Sequence, residues 1–345
     1  MRTIWLGLSI TSSWGNGHAT NYRGLLAALR ARGHEVRFLE RDVPWYASDR
    51  DFTPPWVGLY RTLDELERWQ NEIRGADLVV VGSFVPEGRA VAEWVLAEAR
   101  GVTAFWDIDT PVTAARLARG DHEYLSPELV PRFDLYLSFT GGPLLEQLGA
   151  RRPTPFYCSA DPAVYRPLEE RTRWELGYLG TYSDDRQPKV DRLLLEPACR
   201  LPTHAFAVAG PQYPDSIDWP PNVERLGSLP PPEHPAFYAR QRFTLNVTRA
   251  EMVHAGWSPS VRLFEAAACG LPVISDWWAG LDAFFEPGHE ILIAEDTEEV
   301  LRHLRHGDAA VGHRARERVL ASHTPGHRAR ELEQHVARVR EEVHA

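Results

Sequence analysis

The sequence predicts an α/β protein made of two doubly wound, parallel-sheet domains of similar size. Short and almost wholly apolar runs, which suit buried strands, alternate with stretches whose apolar residues recur at helical spacing. Continuous apolar strands separated by helices are typical of parallel sheets that are covered on both faces. The alternation occurs twice and breaks around residues 161–167, and 345 residues suit two such domains. The predicted architecture is therefore Rossmann-like, a class that binds ligands at the carboxyl ends of its strands.

The first series occupies the first half of the chain. Its predicted strands are Thr3–Ile10, Glu35–Glu40, Asp77–Gly82, Val102–Trp106 and Asp134–Phe139. Its predicted helices are Asn21–Arg32, Leu63–Arg74 and Gly88–Ala99. Gly33 follows the first helix at the position where glycine commonly ends one.

The second series begins after the break. Its predicted strands are Trp174–Gly180, His204–Pro211, Phe243–Val247, Leu271–Ser275 and Glu290–Ala294. Its predicted helices are Lys189–Cys199, Ser260–Cys269, Thr297–Arg305 and Asp308–His323, followed by a last helix from Pro325 to the end. Two domains of this kind are expected to leave a cleft between the carboxyl edges of their sheets.

Composition and charge exclude several classes of protein. The formal net charge of −10 argues against a general nucleic-acid binder and against a surface for anionic lipids. The three cysteines are widely spaced and form no Cys-x-x-Cys pair, which favours a reducing, cytoplasmic compartment. No apolar run has the length of a membrane span, and the N-terminus begins directly with a strand rather than a secretion signal.

The loop after the first predicted strand carries the segment Trp14-Gly15-Asn16-Gly17-His18. Glycines there let the backbone approach a ligand, and the following helix N-terminus favours anions. A dinucleotide site needs a third glycine, whereas Ala19 and Thr20 follow here, which disfavours NAD binding. His18 is a candidate general base, since imidazole titrates near neutral pH, or it only orders the loop.

A second candidate lies at the end of a buried strand, where Asp107 and Asp109 are separated by one residue. Such a pair can bind a metal, accept a proton or hydrogen-bond sugar hydroxyls. It also arises as helix capping before Pro111.

A third candidate is the loop that follows the first strand of the second series. Gly180, Thr181, Tyr182 and Arg186 combine a glycine turn, hydroxyl groups and a cation at a helix start, which suits a phosphate. The alternative is an ordinary polar loop.

The fourth candidate is the most informative, because it places a carboxylate inside an apolar helix. Glu265 lies among phenylalanine and alanine residues, where a carboxylate is costly unless it has a partner. A ribose diol is such a partner, and an internal bridge to Arg262 is the alternative. Arg249 and Arg262 are predicted to neutralise a diphosphate, and Ser258 or Ser260 is predicted to cap the helix.

The tryptophans and histidines of the sequence give two further signals. Trp14, Trp257, Trp277 and Trp278 lie in predicted cleft loops, where an indole ring can stack on a sugar or base. His323 and His327 are four residues apart but lack the glutamate of a zinc motif, and no metal site is predicted.

Residues 246–293 resemble the nucleotide-sugar half of GT-B glycosyltransferases, whose ribose-binding helix resembles the segment from Glu265 to Val273. More closely, the segments 15–23, 178–187 and 258–285 look like the CgeB-like, spore-maturation family, a bacterial group related to family-four glycosyltransferases. Family-four enzymes bind phosphate through an Arg and a Lys. Here Thr181 stands at the Arg position and Arg186 at the Lys position. Of the family's two spaced acids, Glu265 keeps the second, whereas Trp257 replaces the first, which contacts the donor sugar.

The resemblance implies the GT-B fold, with two Rossmann-like domains facing a central cleft. Residues 1–167 would form the acceptor domain and 168–324 the donor domain, and helix 325–345 would return to the first. Gly210 and Pro211 would border the base. The implied activity is transfer of a sugar from a UDP, GDP or TDP sugar to a glycan, protein or small molecule, with no cofactor or metal required. The open alternatives are a catalytically silent relative and an NAD(P)-dependent oxidoreductase.

Overall fold

The chain forms two compact units in the computed structural model, which describes residues 1–13 and 18–344, without the side chains of the last two. The first unit contains Met1–Cys158 together with Pro325–Ala345, and the second contains Ser159–Thr324. Each unit has its own sheet and its own apolar core.

The first unit is built on a seven-stranded parallel sheet of order β3-β2-β1-β4-β5-β6-β7. Its strands are β1 (Arg2–Gly7), β2 (Glu35–Arg41), β3 (Val57–Tyr60), β4 (Leu78–Gly82), β5 (Val102–Asp107), β6 (Leu135–Ser138) and β7 (Pro153–Pro155). Its first six helices are α1 (His18–Ala31), α2 (Pro44–Ala47), α3 (Gln70–Gly75), α4 (Gly88–Glu98), α5 (Thr110–Ala118) and α6 (Gly142–Gln147). Every residue of the central strands β4 and β5 is buried, as expected for a sheet that is covered on both faces.

The second unit is built on a six-stranded parallel sheet of order β10-β9-β8-β11-β12-β13. Its strands are β8 (Trp174–Leu179), β9 (Phe206–Ala209), β10 (Val223–Leu226), β11 (Gln241–Asn246), β12 (Val273–Ser275) and β13 (Leu292–Ile293). Its helices are α7 (Gln187–Val190), α8 (Glu196–Arg200), α9 (His234–Ala239), α10 (Ala250–Ala255), α11 (Val261–Ala268), α12 (Thr297–His306) and α13 (Ala310–Ser322). A π-helical turn, Asp191–Leu195, joins α7 to α8, so these form one helix where the sequence predicts one.

These sheets confirm the predicted pair of doubly wound α/β folds, and the differences are local. The sequence does not predict three of the strands, and each of these lies at the edge of its sheet: β3, β7 and β10. Edge strands are short and half exposed, so they lack the continuous apolar run that identifies a central strand. The helix predicted from residue 63 begins as a 3₁₀ segment, Leu63–Trp69, before α3. Within the described residues, no helix is both long and apolar enough to cross a membrane.

The last helix, α14 (Pro325–His344), belongs to the first unit, which confirms its predicted return. Its apolar residues Leu332, Val336 and Val339 are buried. Its Glu333 accepts hydrogen bonds from Nε and Nη2 of Arg32, both at 2.6 Å, while its Oε1 lies 2.6 Å from Nε2 of His34. A carboxylate thus ties α14 to the end of α1.

Glu333→Gln is expected to lower the free energy of unfolding by about 1 kcal/mol at pH 7, a value reduced for the partial exposure of the pair. The hydrogen bond from Arg32, supported by His34 and opposed by desolvation, lowers the pKa of Glu333 from 4.5 to about 2. Because the folded-state pKa is depressed, this contribution is complete above pH 4.5 and is lost as pH falls towards 2. Denaturant titrations of both proteins between pH 3 and 7 measure it, and a pH-independent difference would contradict this assignment.

Candidate functional site

The carboxyl edge of the second sheet gathers the polar residues of this unit. β8 ends at Leu179, β11 at Asn246 and β12 at Ser275, and each strand is followed by a loop. Because these strands are parallel neighbours, their loops emerge at the same edge. Polar side chains lie in these loops and in the first turns of the helices that follow.

Arg249 and Arg262 both lie close enough to Arg186 for their charges to act on it, and we call these three residues the arginine cluster. The pKa of Arg186 is lowered, mainly by burial and also by the positive charges of Arg262 and Arg249, against the opposing effects of Tyr178 and Asp185. Three guanidinium groups placed together suit an anion with several oxygens, such as a phosphate or diphosphate.

The structure fixes two of these arginines by hydrogen bonds to the backbone. Arg262 donates from Nε to the carbonyl of Leu179, and its Nη1 lies 3.1 Å from Oδ1 of Asn246. Its guanidinium also lies over the Tyr178 ring, 5.0 Å from the centroid. Arg186 donates to Oγ of Ser183 at 2.8 Å and to the carbonyl of Thr181. Cations held in this way are pre-organised before a ligand arrives.

Arg249 is held through its backbone, by a polar network beneath the loop that carries it. Asp276, which follows β12 and is fully buried, accepts hydrogen bonds at Oδ1 from the amide of Thr248 at 3.0 Å and from its hydroxyl at 2.8 Å. Its other oxygen, Oδ2, lies 2.6 Å from Nζ of Lys189. Asp185 accepts from the amide of Ala250, the first residue of α10. Arg249 is therefore flanked by two residues whose amides are bound by carboxylates.

Two glycines allow the loops to approach each other. A Cβ on Gly210, whose φ is +142°, would lie 2.0 Å from the carbonyl oxygen of Gly180. A Cβ on Gly180 would lie 2.8 Å from Nη2 of Arg262. Tyr213 adds a hydrogen bond of 3.1 Å to the Gly180 carbonyl. Gly180 and Gly210, both predicted site residues, thus allow the two loops to pack closely. The amide of Tyr182 donates a hydrogen bond to the carbonyl of Pro211 and joins the same two loops.

The loop before α11 adopts an unusual backbone conformation. Trp257 has a φ of +43°, which is uncommon for a bulky residue, and its ring packs against Gly280. Ser258 is buried, and Ser260 occupies the N-cap position of α11. Ser260 was one of the two residues predicted to cap this helix, and in α11 its hydroxyl accepts no capping hydrogen bond. Backbone strain of this kind is often found at functional sites.

Glu265 is buried, with 6% of its surface exposed. Its Oε2 lies 3.7 Å from Nδ1 of His234, and Tyr165 lies close enough for the charge of Glu265 to act on its hydroxyl. The pKa of Tyr165 is raised by burial and by the charge of Glu265. The alternative bridge to Arg262 is therefore wrong, because Arg262 turns to Leu179 and Asn246 instead.

In the first unit, the candidates lie at the carboxyl edge of its sheet. His18 is the first residue of α1, and burial lowers the pKa of His18 to about 4, so it is neutral at pH 7. Asp109 is partly exposed at the N-cap of α5. Asp107 is fully buried and accepts hydrogen bonds from Tyr136 at 2.7 Å and Thr113 at 2.8 Å. Burial contradicts a direct contact between Asp107 and a substrate; its carboxylate stabilises the fold.

The remaining predicted residues are those of the first loop and the loop tryptophans. Trp14, Gly15, Asn16 and Gly17 lie outside the described residues. Of the tryptophans predicted in loops, Trp278 is 1% exposed and contacts Phe284, so it belongs to the core and cannot stack on a ligand. Trp277 is 42% exposed and follows Asp276 directly.

The sequence reasoning missed three residues of this site, namely Lys189, Asn246 and Asp276. Two of them end or follow buried strands, a position that a search at the carboxyl ends of the strands would have found. Lys189 is the only lysine in the chain. Within residues 1–13 and 18–344, no three His, Cys, Asp or Glu side chains are grouped so that they could hold a metal ion.

Comparison with known protein families gives a match over most of the second unit. Residues 186–334 match a family model described as glycosyl transferase-like. A comparison with curated protein sequences found no match.

Solved structures match the whole chain. Sucrose-phosphate synthase from Thermosynechococcus elongatus has a TM-score of 0.70 and 15% identity, over 99% of this chain and 100% of that chain. HepE from Anabaena, in complex with UDP-glucose, has a TM-score of 0.69 and 13% identity, over 98% and 99%. An alpha-glucosyltransferase in complex with UDP-glucose and DNA has a TM-score of 0.66 and 14% identity, over 93% and 94%. The chain thus has the GT-B fold, and residues 186–334 match the glycosyl transferase-like family.

Proposed function

We propose that this protein is a glycosyltransferase that binds a nucleoside diphosphate sugar at the arginine cluster and transfers the sugar to an acceptor. The observation that carries the proposal is the convergence of Arg186, Arg249 and Arg262 at the carboxyl edge of a parallel sheet. The family match of residues 186–334 covers all three arginines. Two GT-B neighbours were solved with UDP-glucose, which makes UDP sugars the first donors to test.

The chemistry of the proposed reaction suits this cluster. The bond between the anomeric carbon and the β-phosphate oxygen breaks, its electron pair stays on the diphosphate, and the acceptor oxygen bonds the anomeric carbon. Negative charge therefore accumulates on the leaving group, where the guanidinium groups stabilise it. We propose that these cations supply the charge compensation and that no metal is required. If the configuration inverts, His18 or Asp109 would take the proton of the acceptor hydroxyl.

We propose that Glu265 completes the donor site by accepting hydrogen bonds from the ribose, as its resemblance to the family-four motif implies. His234 lies 3.7 Å from the carboxylate, and Tyr165 lies close enough for the charge of Glu265 to act on it. A carboxylate has about four lone-pair sites, so Glu265 has acceptor capacity for a diol.

Trp257 favours a second candidate function, that of a nucleotide-sugar-binding relative without transferase activity. It stands where the family has the acid that contacts the donor sugar, and its backbone is strained. In this alternative the arginine cluster binds the nucleotide as proposed, but no sugar is transferred.

A nucleotide panel tests the proposal. Thermal unfolding is recorded with UDP, GDP and TDP, and the purified protein is then incubated with the matching sugars while free diphosphate is assayed. At about 100 times its Kd, a diphosphate that binds only the folded protein adds about 2.7 kcal/mol to its stability. We expect one diphosphate to raise the Tm and its sugar conjugate to be slowly hydrolysed.

The other outcomes separate the alternatives. A raised Tm without turnover of any sugar indicates the binding relative. If no diphosphate changes the Tm, the arginine cluster is not a donor site and the proposal is wrong. Absorbance or fluorescence of bound NAD(P) would instead indicate an oxidoreductase.

A further inference from the structure

Lys189 forms an ion pair with Asp276, the carboxylate that binds the loop carrying Arg249. Its Nζ lies 2.6 Å from Oδ2 of Asp276, whose side chain is fully buried while that of Lys189 is 32% exposed. A buried carboxylate without a partner is strongly unfavourable, so this pair neutralises a charge that the fold has removed from water.

The same carboxylate connects Lys189 to two of the three arginines. Oδ1 of Asp276 binds both the amide and the hydroxyl of Thr248, the residue before Arg249. The Thr248 hydroxyl lies 3.1 Å from Nδ2 of Asn246, whose Oδ1 binds Arg262. The network therefore runs from α7 through the end of β12 to the loops of β11 and to α11.

The third arginine shares a helical turn with the lysine. Lys189 donates its backbone amide to the carbonyl of Arg186 at 3.0 Å. Each arginine of the cluster is thus within three covalent or hydrogen-bonded steps of the Lys189–Asp276 pair. Removing the lysine would leave a negative charge beside a site that must attract a diphosphate, and like charges repel strongly where water is excluded.

We propose that Lys189 is a positioning residue for the arginine cluster: it cancels the charge of Asp276 and thereby keeps the site positive and its loops in place. This inference rests on the proposed function. Lysine suits the role because its ammonium is a compact charge on a flexible stem, whereas a guanidinium needs a wider, planar contact. The chain uses arginine at its 37 other basic positions, so the lysine is also a unique experimental label.

A double-mutant cycle tests the inference through the Kd of the diphosphate that the wild-type protein binds. Charge cancellation predicts that Lys189→Gln weakens binding about 30-fold, because it leaves the negative charge of Asp276 uncancelled. Asp276→Asn removes that charge and only weakens the hydrogen bonds to Thr248, so we expect a loss of about threefold, and the double variant should lose no more than about threefold beyond Asp276→Asn. The neutral pair of the double variant also covers the case in which Lys189→Gln alone fails to fold. The matched control is Arg200→Gln with Glu298→Gln, which removes an exposed ion pair of the same unit.

Two results would contradict the positioning role of Lys189, and a third would contradict the proposed function. If the double variant binds as weakly as Lys189→Gln, the lysine contacts the diphosphate directly and the positioning role is wrong. Binding by Lys189→Gln within twofold of wild type would also overturn it. If wild-type protein binds no diphosphate, the proposed function fails instead.

A second measurement is independent of nucleotide binding. Protein grown with [ε-¹³C]lysine gives a single side-chain resonance, because Lys189 is the only lysine. We expect this resonance to move in Asp276→Asn and to stay unchanged in the Arg200 and Glu298 control. An unmoved resonance in Asp276→Asn would show that the ion pair does not form in solution and would end the inference.

Discussion

Arg262→Gln is expected to raise the Kd for the bound nucleoside diphosphate about 100-fold, the loss of roughly two charge-assisted hydrogen bonds to phosphate. Arg262 is the most tightly fixed member of the cluster, since Leu179, Asn246 and the Tyr178 ring hold it. Glutamine keeps much of the side-chain length but removes the charge. Isothermal titration calorimetry measures the change, and the Tm without nucleotide shows whether the variant is folded.

The matched control is Arg192→Gln, which removes an exposed arginine from the π-helical turn of the same unit. Its Kd should stay within about twofold of wild type, because exposed and distant charges are screened by salt. If Arg262→Gln also binds the nucleotide as wild type does, the diphosphate binds elsewhere and the proposed donor site is wrong.

Gly210→Ala is expected to lower the free energy of unfolding of the second unit by about 3 kcal/mol or more, since steric overlap adds to backbone strain. The new Cβ would lie 2.0 Å from the oxygen and 2.6 Å from the carbon of the Gly180 carbonyl, and φ is +142°. The obstacle is backbone, so it cannot be relieved by rotating a side chain. Urea denaturation followed by tryptophan fluorescence measures the loss.

The chain supplies a control for this substitution at the end of the neighbouring strand. A Cβ on Gly227 would meet no atom within 4 Å, so Gly227→Ala should change the free energy of unfolding by less than about 0.5 kcal/mol. Equal effects at both positions would show that the contact between residues 180 and 210 does not form in solution.

The arrangement of central strands could be predicted from the sequence because burial on both faces forces a continuous apolar run. Edge strands such as β3 and β10 impose no such pattern, and they were missed. The arginines of the cluster were found because charged residues that follow a predicted strand, in a loop or in the first turn of the next helix, are visible in the sequence.

The roles of the carboxylates could not be predicted in the same way, because a role depends on hydrogen-bond partners. Asp107 was a candidate to accept a proton or to bind a sugar, yet in the structure its carboxylate accepts hydrogen bonds from Tyr136 and Thr113. Glu265 looked like a group in need of a ligand, and the structure adds His234 at 3.7 Å from its carboxylate. Asp276, by contrast, attracted no attention in the sequence. A single sequence shows that a carboxylate is present, but its hydrogen-bond partners come from residues far away in the chain.

The placement of α14 has a consequence for biosynthesis. The first unit contains the first 158 residues and the last 21, so translation must pass through the whole second unit before the first is complete. Until then, the apolar surface that packs against Leu332, Val336 and Val339 of α14 is exposed. The unit begun first on the ribosome is therefore finished last, and a nascent chain stopped before residue 325 would expose apolar surface to aggregation or to chaperones.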